Sequence, residues 1–482
     1  MNEMITLPFA LFVVFASFLG QKFKSARKIL TISGAFLTFL ATITEAISVF
    51  KFGVNSTIFT VHFGILALNF GADFYGLVFA SLISLLWGIA LLYSYSYLEK
   101  NYPKKNDTIF QICYSLAVFF AILFAFAKDV LTMFIIYECL TVSTIALVGF
   151  KKNEESKEGL FKYLSVLFGC SLLLLLPATI YIISKTGMQF FDGTGFMGNF
   201  GFSDITLKIL LAMMIFGVGK AAIFPFHIWL PSAMCAPTPV SGLLHAVAVV
   251  KVGAFFIFRI VTDVFGIELL NPLLKDFNFI MIISGITIVY ASITAVFQSN
   301  LKKRLAFSTI GQISYIILSL STFTKLGVFA AMFQIVTHAL SKILLFFTVG
   351  GFYTAAHSNQ IVAFTGMAQK NKITSVLFLF ATLSICGLPF TAGFTNKALL
   401  LYALIDAKSY FGTFVLAFSA FLSFLYLIPV CYAIFKRVSV KQVNAFEAVP
   451  RDFNIVFILL AILNIIVFIL SSLFFLYYVN EW

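Results

Sequence analysis

Glu138, Lys220, His245, Lys251, His338, Lys342 and Lys397 are ionisable residues inside stretches that are otherwise apolar. A charge placed in hydrocarbon costs about 2.5–3.5 kcal/mol on insertion scales, so each of them must face a partner or water. The chemistry that such residues can do is proton handling. Burial disfavours the charged form of a lysine and can lower its pKa by about 3–5 units, and a nearby carboxylate raises it again. A buried lysine is then a carrier that the approach or departure of a carboxylate such as Glu138 would switch. Histidine titrates near neutrality without help.

The spacing supports a connected set. His338 and Lys342 are four residues apart, so on a helix they share one face, about 6 Å apart along the axis. His245 and Lys251 are six apart, roughly 120° from one another on an ideal helix, and both can still border a hydrated interior. The plain alternative for any one of them is a buried ion pair that holds helices together. His227 reads as a histidine at a helix end near water. Glu45 and Asp73 read as interfacial or packing residues, and His357 and Asp406 as loop-edge residues. The 62 phenylalanines read as lipid-facing or packing residues.

These residues need elements to hold them. Of 482 residues, 61% are hydrophobic and 11% are charged, against about 25% charge in a soluble domain. The bilayer must serve as solvent, and the apolar runs of about 20 residues suit helices, not barrel strands. The expected fold is an all-α polytopic membrane protein of fourteen spans. They cover roughly 4–20, 29–48, 74–97, 109–127, 130–150, 160–183, 209–230, 241–258, 279–297, 305–320, 327–351, 373–404, 411–435 and 453–478. The fourth and fifth abut at Lys128 and Asp129. The twelfth is too long for one straight span, and Gly387, Pro389 and Gly393 interrupt it. The first apolar run has no small-residue cleavage site after it and reads as a retained helix.

The net charge of +13 reflects basic loops of a membrane protein, with no nucleic acid as partner. Of the 32 Lys and Arg, 20 lie at loops after odd-numbered spans and 8 on the other side. This bias predicts that the odd loops are cytoplasmic and that both termini face outward. Cys113, Cys139, Cys170, Cys235, Cys386 and Cys431 form no CxxC pair, which argues against a cysteine-held metal site or cluster. Phosphate-binding loops, GxGxxG and HExxH are missing, so neither cofactor nor metal is expected.

One membrane domain, 1–482, is expected, with an internal echo: 1–108 would hold spans one to three, 109–260 and 277–437 two five-span units, and 453–482 the last span. An odd number of spans inverts the second unit relative to the first. The seventh and twelfth spans both contain proline with nearby glycines, Pro225 with Gly217 and Gly219, and Pro389 with Gly387 and Gly393. Each carries one lysine, Lys220 or Lys397. Interrupted helices at matching places in inverted repeats point to an ion site.

The run GKAAIFPFHIWLPSAMCAPTPVSGLLHAVAVVKVGAFFIFR, Gly219 to Arg259, resembles the signature of the antiporter-like subunits of respiratory complex I, Mrp-type sodium/proton antiporters and membrane-bound hydrogenases. YECLTVSTIALVGF at 137–150, KKRLAFSTIGQISY at 302–315, HALSKILLF at 338–346 and GLPFTAGFTNKALLL at 387–401 extend the likeness. The resemblance implies fourteen helices and two inverted five-helix repeats, broken at helices seven and twelve. It implies that Glu138 is the carboxylate of helix five and that Lys220 is the broken-helix lysine paired with it. His245 and Lys251 match connecting residues of helix eight, and His338 and Lys342 the positions of helix eleven. Lys397 matches the terminal lysine of helix twelve, and Lys302 a basic residue entering helix ten. A proton would enter near Lys220, cross through Lys251 and leave near Lys397.

The chain's size is most similar to a D-type Mrp subunit. The function implied is proton translocation within a multisubunit Na+/H+ antiporter. The alternative is the pumping subunit of a complex I-like oxidoreductase or hydrogenase, and a third reading is a structural scaffold. Expected partners are other membrane subunits in the cell's inner membrane, together with its lipid. Sodium wants several oxygen ligands, which the lysines and histidines do not supply, so any sodium path is expected in a partner.

Overall fold

The computed structural model describes residues 4–52, 58–64 and 66–480. The chain is nearly all helical, and each of the fourteen expected spans corresponds to a helical element. We label them α1 (Thr6–Ser17), α2 (Lys24–Phe52), α3 (Phe74–Asn101), α4 (Thr108–Ala125), α5 (Val130–Val148), α6 (Glu154–Thr186) and α7 (Asp204–Gly217). Then follow α8 (Thr238–Phe265), α9 (Phe279–Val296), α10 (Leu301–Leu320), α11 (Lys325–Ala356), α12, which is broken into Lys372–Cys386 and Ala392–Asp406, α13 (Tyr410–Phe435) and α14 (Arg451–Asn480). Ten helices among the described residues are long and apolar enough to cross a membrane. The all-α expectation misses one hairpin, β1 (Phe59–Phe63) against β2 (Leu66–Phe70), paired antiparallel. Five-residue apolar strands are too short to register as spans.

Polar side chains start the helices. Asp129 accepts from the Thr132 N–H, Asn153 from Ser156, Ser203 from Thr206, Asn300 from Lys303 and Thr324 from Gly327. Each occupies one of the amides that a helix N-terminus leaves unpaired. Asp129 therefore makes the separation of α4 from α5 real, although only four residues lie between them.

Two compact units divide the chain. The first comprises Met1–Tyr95, Lys104–Ala222 and Cys235–Asp276, and the second Ser96–Pro103, Ile223–Met234 and Phe277–Trp482. In the first, α1 packs on α2 and α4, and α4 on α5. Every residue of α8 is buried. In the second, α11 packs against α10, both halves of α12, and α14, while α9 packs against α10 and α13.

The expected seventh span, 209–230, is not one helix. It ends at Gly217, where a Cβ would lie 2.6 Å from the Leu175 backbone nitrogen. Lys220 then sits in a single 3-10 turn, Gly219–Ala221, closed by Ala222 in the left-handed region. The twelfth span breaks where foreseen: Gly387, at φ +78°, ends the first half, and the second starts after Thr391. The eighth is longer than 241–258 and is not uniform. π-helical segments occupy Leu243–Val247 and Ile260–Phe265. The 120° offset expected between His245 and Lys251 assumed an unbroken α-helix and does not hold. The wide turn and the irregular Ala248 (φ −119°, ψ −73°) lie between the two residues.

Candidate functional site

In the first unit the site is built on α5, the turn after α7, and α8. Lys220 is fully buried. Its ammonium donates to the Tyr137 carbonyl at 2.8 Å and to Thr141 Oγ1 at 2.6 Å, one turn further along α5. It also stands 3.1 Å from the centroid of the Tyr137 ring, a cation–π contact. The Lys220 backbone N–H donates to the Tyr137 hydroxyl at 3.0 Å. One residue of α5 thus fixes both the backbone and the head of this lysine.

Glu138, the next residue, is half-buried, and neither of its carboxylate oxygens, both shielded from solvent, accepts a hydrogen bond. No hydrogen bond joins it to Lys220, so the resemblance's pairing is not made as a direct bond. Lys220 is instead anchored to neutral acceptors of the same helix.

Gly253 brings α8 against this turn. A Cβ there would lie 2.5 Å from the Ala221 nitrogen and 2.5 Å from the Lys220 carbonyl carbon. His245 and Lys251, both fully buried, precede that contact on α8, Lys251 by two residues. Glu138, Lys220, His245 and Lys251 therefore belong to one packed unit.

At one end of the same unit lies an ion cluster that sequence reasoning treated only in part. Nη2 of Arg259 on α8 donates to both Asp73 oxygens, 2.7 Å to each, and Nη1 makes a longer contact of 3.3 Å to Asp263. Lys128 adds a bridge to Asp73 at 3.0 Å. Burial by itself would raise the Asp73 carboxyl, but Arg259 and Lys128 beside it more than offset this and hold it at about 2.

The second unit carries the remaining residues. Lys342 on α11 is fully buried and donates to Ser308 Oγ at 2.7 Å and the Leu305 carbonyl at 3.2 Å, both on α10. Tyr426 of α13 donates to the same Ser308 at 2.9 Å. Lys302, buried, lies in the first turn of α10, one turn before Leu305. α11 is a continuous helix, so His338 and Lys342 do lie one turn apart on one side. Lys397 is half-buried in the second half of α12 and donates back to the Cys386 carbonyl, 2.8 Å away, at the end of the first half.

A cavity of about 10 Å³ is lined by Gln312, Gln334, His338, Ser341, Ser384 and Lys397, among others. It is room for about one water. Sequence reasoning missed the uncharged members of this lining. Gln334 donates to Gln312 Oε1 at 2.9 Å and accepts from Asn396, while Ser341 bonds Ser384 at 2.8 Å and Asn464 of α14 at 2.9 Å. Polar residues inside apolar spans were the available signal, but an uncharged side chain costs less to bury than a charge, so these did not stand out singly.

The other histidines fall outside both sets. His227 is buried and stacks on Phe224, with its ring edge-on to Tyr290. It stands just before the short helix Trp229–Ser232, as a helix-end residue, but is packed and buried and not near water. His357 is exposed and bonds Glu447, as a loop-edge residue should, and Asp406 closes the second half of α12, exposed. Among the described residues no group of three His, Cys, Asp or Glu could hold a metal.

The family model described as the transmembrane part of NADH:quinone oxidoreductase and the Mrp antiporter matches residues 127–423. The antiporter subunit mnhA2 of Staphylococcus epidermidis is 31% identical over 357 residues, covering 71% of this chain and 44% of that protein. Its counterpart in Staphylococcus saprophyticus is 29% identical over 361 residues, covering 70% and 43%. The chain thus matches less than half the length of these relatives. Two solved structures share the fold. One belongs to an archaeal membrane-bound sulfane sulfur reductase, with TM-score 0.82 and 22% identity, covering 98% of this chain and 94% of that one. The other belongs to the Mrp complex of Dietzia sp. DQ12-45-1b, with TM-score 0.82 and 16% identity, covering 98% and 96%. The chain belongs to the transmembrane family shared by NADH:quinone oxidoreductases and Mrp antiporters.

Proposed function

We propose that this chain is the proton-translocating subunit of a multisubunit Na+/H+ antiporter. Protons move along Glu138, Lys220, His245 and Lys251 in the first unit and Lys302, His338, Lys342 and Lys397 in the second. The observation that carries this reading is Lys220. Its ammonium is buried, held by a carbonyl and a hydroxyl, and within the field of a carboxylate that no hydrogen bond ties down. A structural ion pair would have closed the gap between Glu138 and Lys220; a switchable carrier keeps it open. Neutral acceptors receive the lysine's protons, and none of them competes for its charge.

The five-helix stretches 109–260 and 277–437 act as inverted repeats in this reading, and both termini face outward from the inner membrane. Sodium, if moved, follows a partner subunit, because the lysines and histidines of the row supply none of the several oxygen ligands that sodium wants. The second reading is the pumping arm of a complex I-like oxidoreductase, favoured by the family's membership on that side. The same row would then work under the drive of partner redox subunits.

The test is a tagged chain purified from its own cells in mild detergent, with vesicle transport run beside it. Small hydrophobic partners and sodium-dependent acidification support the antiporter. Co-purifying flavin or iron–sulfur subunits, with proton movement that stops when electron flow is blocked, overturn it in favour of the second reading. Normal proton movement by Lys220→Ala would sink both.

A further inference from the structure

The Asp73 cluster stands apart from the row yet is fastened to the two helices that carry its first half. Lys128 precedes α5, the helix of Glu138, and Arg259 lies on α8, eight residues beyond Lys251. Eight residues of α-helix are about 12 Å. Asp73 sits immediately before α3 and takes both cations on one carboxylate. Its Oδ1 also accepts the Gly76 N–H, and Asp263 accepts from Thr262 and from the Gly193 N–H. Other charged or titratable groups close by are the Tyr75 hydroxyl of α3, Asp129, whose oxygens are taken up by Thr132 and Asn69, and Asp192, next to Gly193, whose Oδ1 accepts from Thr194. The four core members carry two positive and two negative charges.

The geometry points to Asp73 as a positioning residue for proton transfer: with Lys128, Arg259 and Asp263 it forms a charge-balanced junction that sets the electrostatic field along α8 at Lys251. This rests on the lysine-row reading of the site. A carboxyl held at about 2 stays ionised at every pH at which the protein works, so Asp73 is a fixed counter-charge and not a carrier. A unit charge at the Arg259 end of that stretch, roughly 12 Å along the helix from Lys251, at an effective dielectric of about 20, changes a proton affinity about tenfold. Removing the Asp73 charge leaves the junction net positive, which drives protons off α8. Removing the Lys128 charge leaves it net negative and does the opposite.

The experiment is the pH profile of proton movement in vesicles carrying the whole complex. Asp73→Asn should move the half-maximal pH down by about one unit, Lys128→Met should move it up by a similar amount, and the double variant should return it to the wild-type value. Lys128→Met keeps the Asp73–Arg259 bridge, so it reads the field even where Asp73→Asn fails to assemble. An unshifted profile in Lys128→Met overturns the inference, as does a double variant more impaired than either single one, since a purely structural junction is not rescued by neutralisation. Lys220→Ala, run beside them, separates the two ideas. If it is inactive while the junction variants leave the profile in place, the inference fails and the row survives; if it transports normally, the row fails.

Discussion

The ammonium of Lys220 donates to the main-chain carbonyl of Tyr137 and not to the carboxylate of Glu138, its sequence neighbour. Glu138 thereby stays near a buried cation without being consumed by it. Lys220→Ala should reduce proton movement in vesicles at least tenfold while the complex still assembles. Lys220→Arg should also fail, because a guanidinium keeps its charge but does not release its proton. A working Arg variant would make the position electrostatic only.

Glu138→Gln keeps the volume and removes the switching charge. Because neither oxygen has a hydrogen-bond partner to lose, the thermal midpoint of the complex should change little. Transport should nevertheless fall severalfold. Wild-type rates with unchanged stability would leave Glu138 with no part in the row.

Gly253→Val tests the packing that brings α8 to the Lys220 turn. The new side chain would meet the backbone of Lys220 and Ala221 at 2.5 Å, and overpacking of this kind typically costs about 1–3 kcal/mol. A lowered midpoint together with lost transport is expected. Unchanged melting would mean that the turn yields easily and that the contact does not position the lysine.

Gly387→Ala should act through Lys397. The residue needs φ +78°, and its Cβ would lie 2.5 Å from the Lys397 Cδ. The lysine stem must move and lose its bond to the Cys386 carbonyl. Transport should drop with only a modest loss of stability, read by comparing vesicle rates with detergent melting.

The pH dependence of stability has a defined sign at Asp73. Its folded carboxyl lies at about 2, below the unfolded value of about 3.9. Its stabilisation, about 2–3 kcal/mol, is present above pH 4 and is lost as pH falls towards 2. Melting should therefore be flat in this contribution from pH 5 to 8. Asp73→Asn should remove the acid-side decline and lower the plateau; a decline of undiminished size in the variant would assign it to other carboxylates.

Much of the fold was legible in the chain, because bilayer solvation forces long apolar runs into helices and leaves charge at their ends. Gly387, Pro389 and Gly393 marked the break in α12 for the same local reason that they cause it: positive φ, a missing N–H, and a missing Cβ where Gly393 meets the Ser384 carbonyl. The end of α7 was less legible. Gly217 breaks that helix by fitting under Leu175 of α6, a neighbour far away in sequence.

The row of intramembrane charges was determined by sequence alone, since the cost of burying a charge does not depend on which neighbour receives it. Which neighbour does receive it was decided by tertiary structure. Lys220 turns to Tyr137 and Thr141, Lys342 to Ser308, and Lys397 to the end of its own broken helix. Asp73, an unremarkable residue at a helix start, becomes the centre of a four-charge junction because Arg259 and Lys128 converge on it. Hydrogen bonds and ion pairs act over about 3–4 Å, and only packing brings residues 55 and 186 positions apart to that distance.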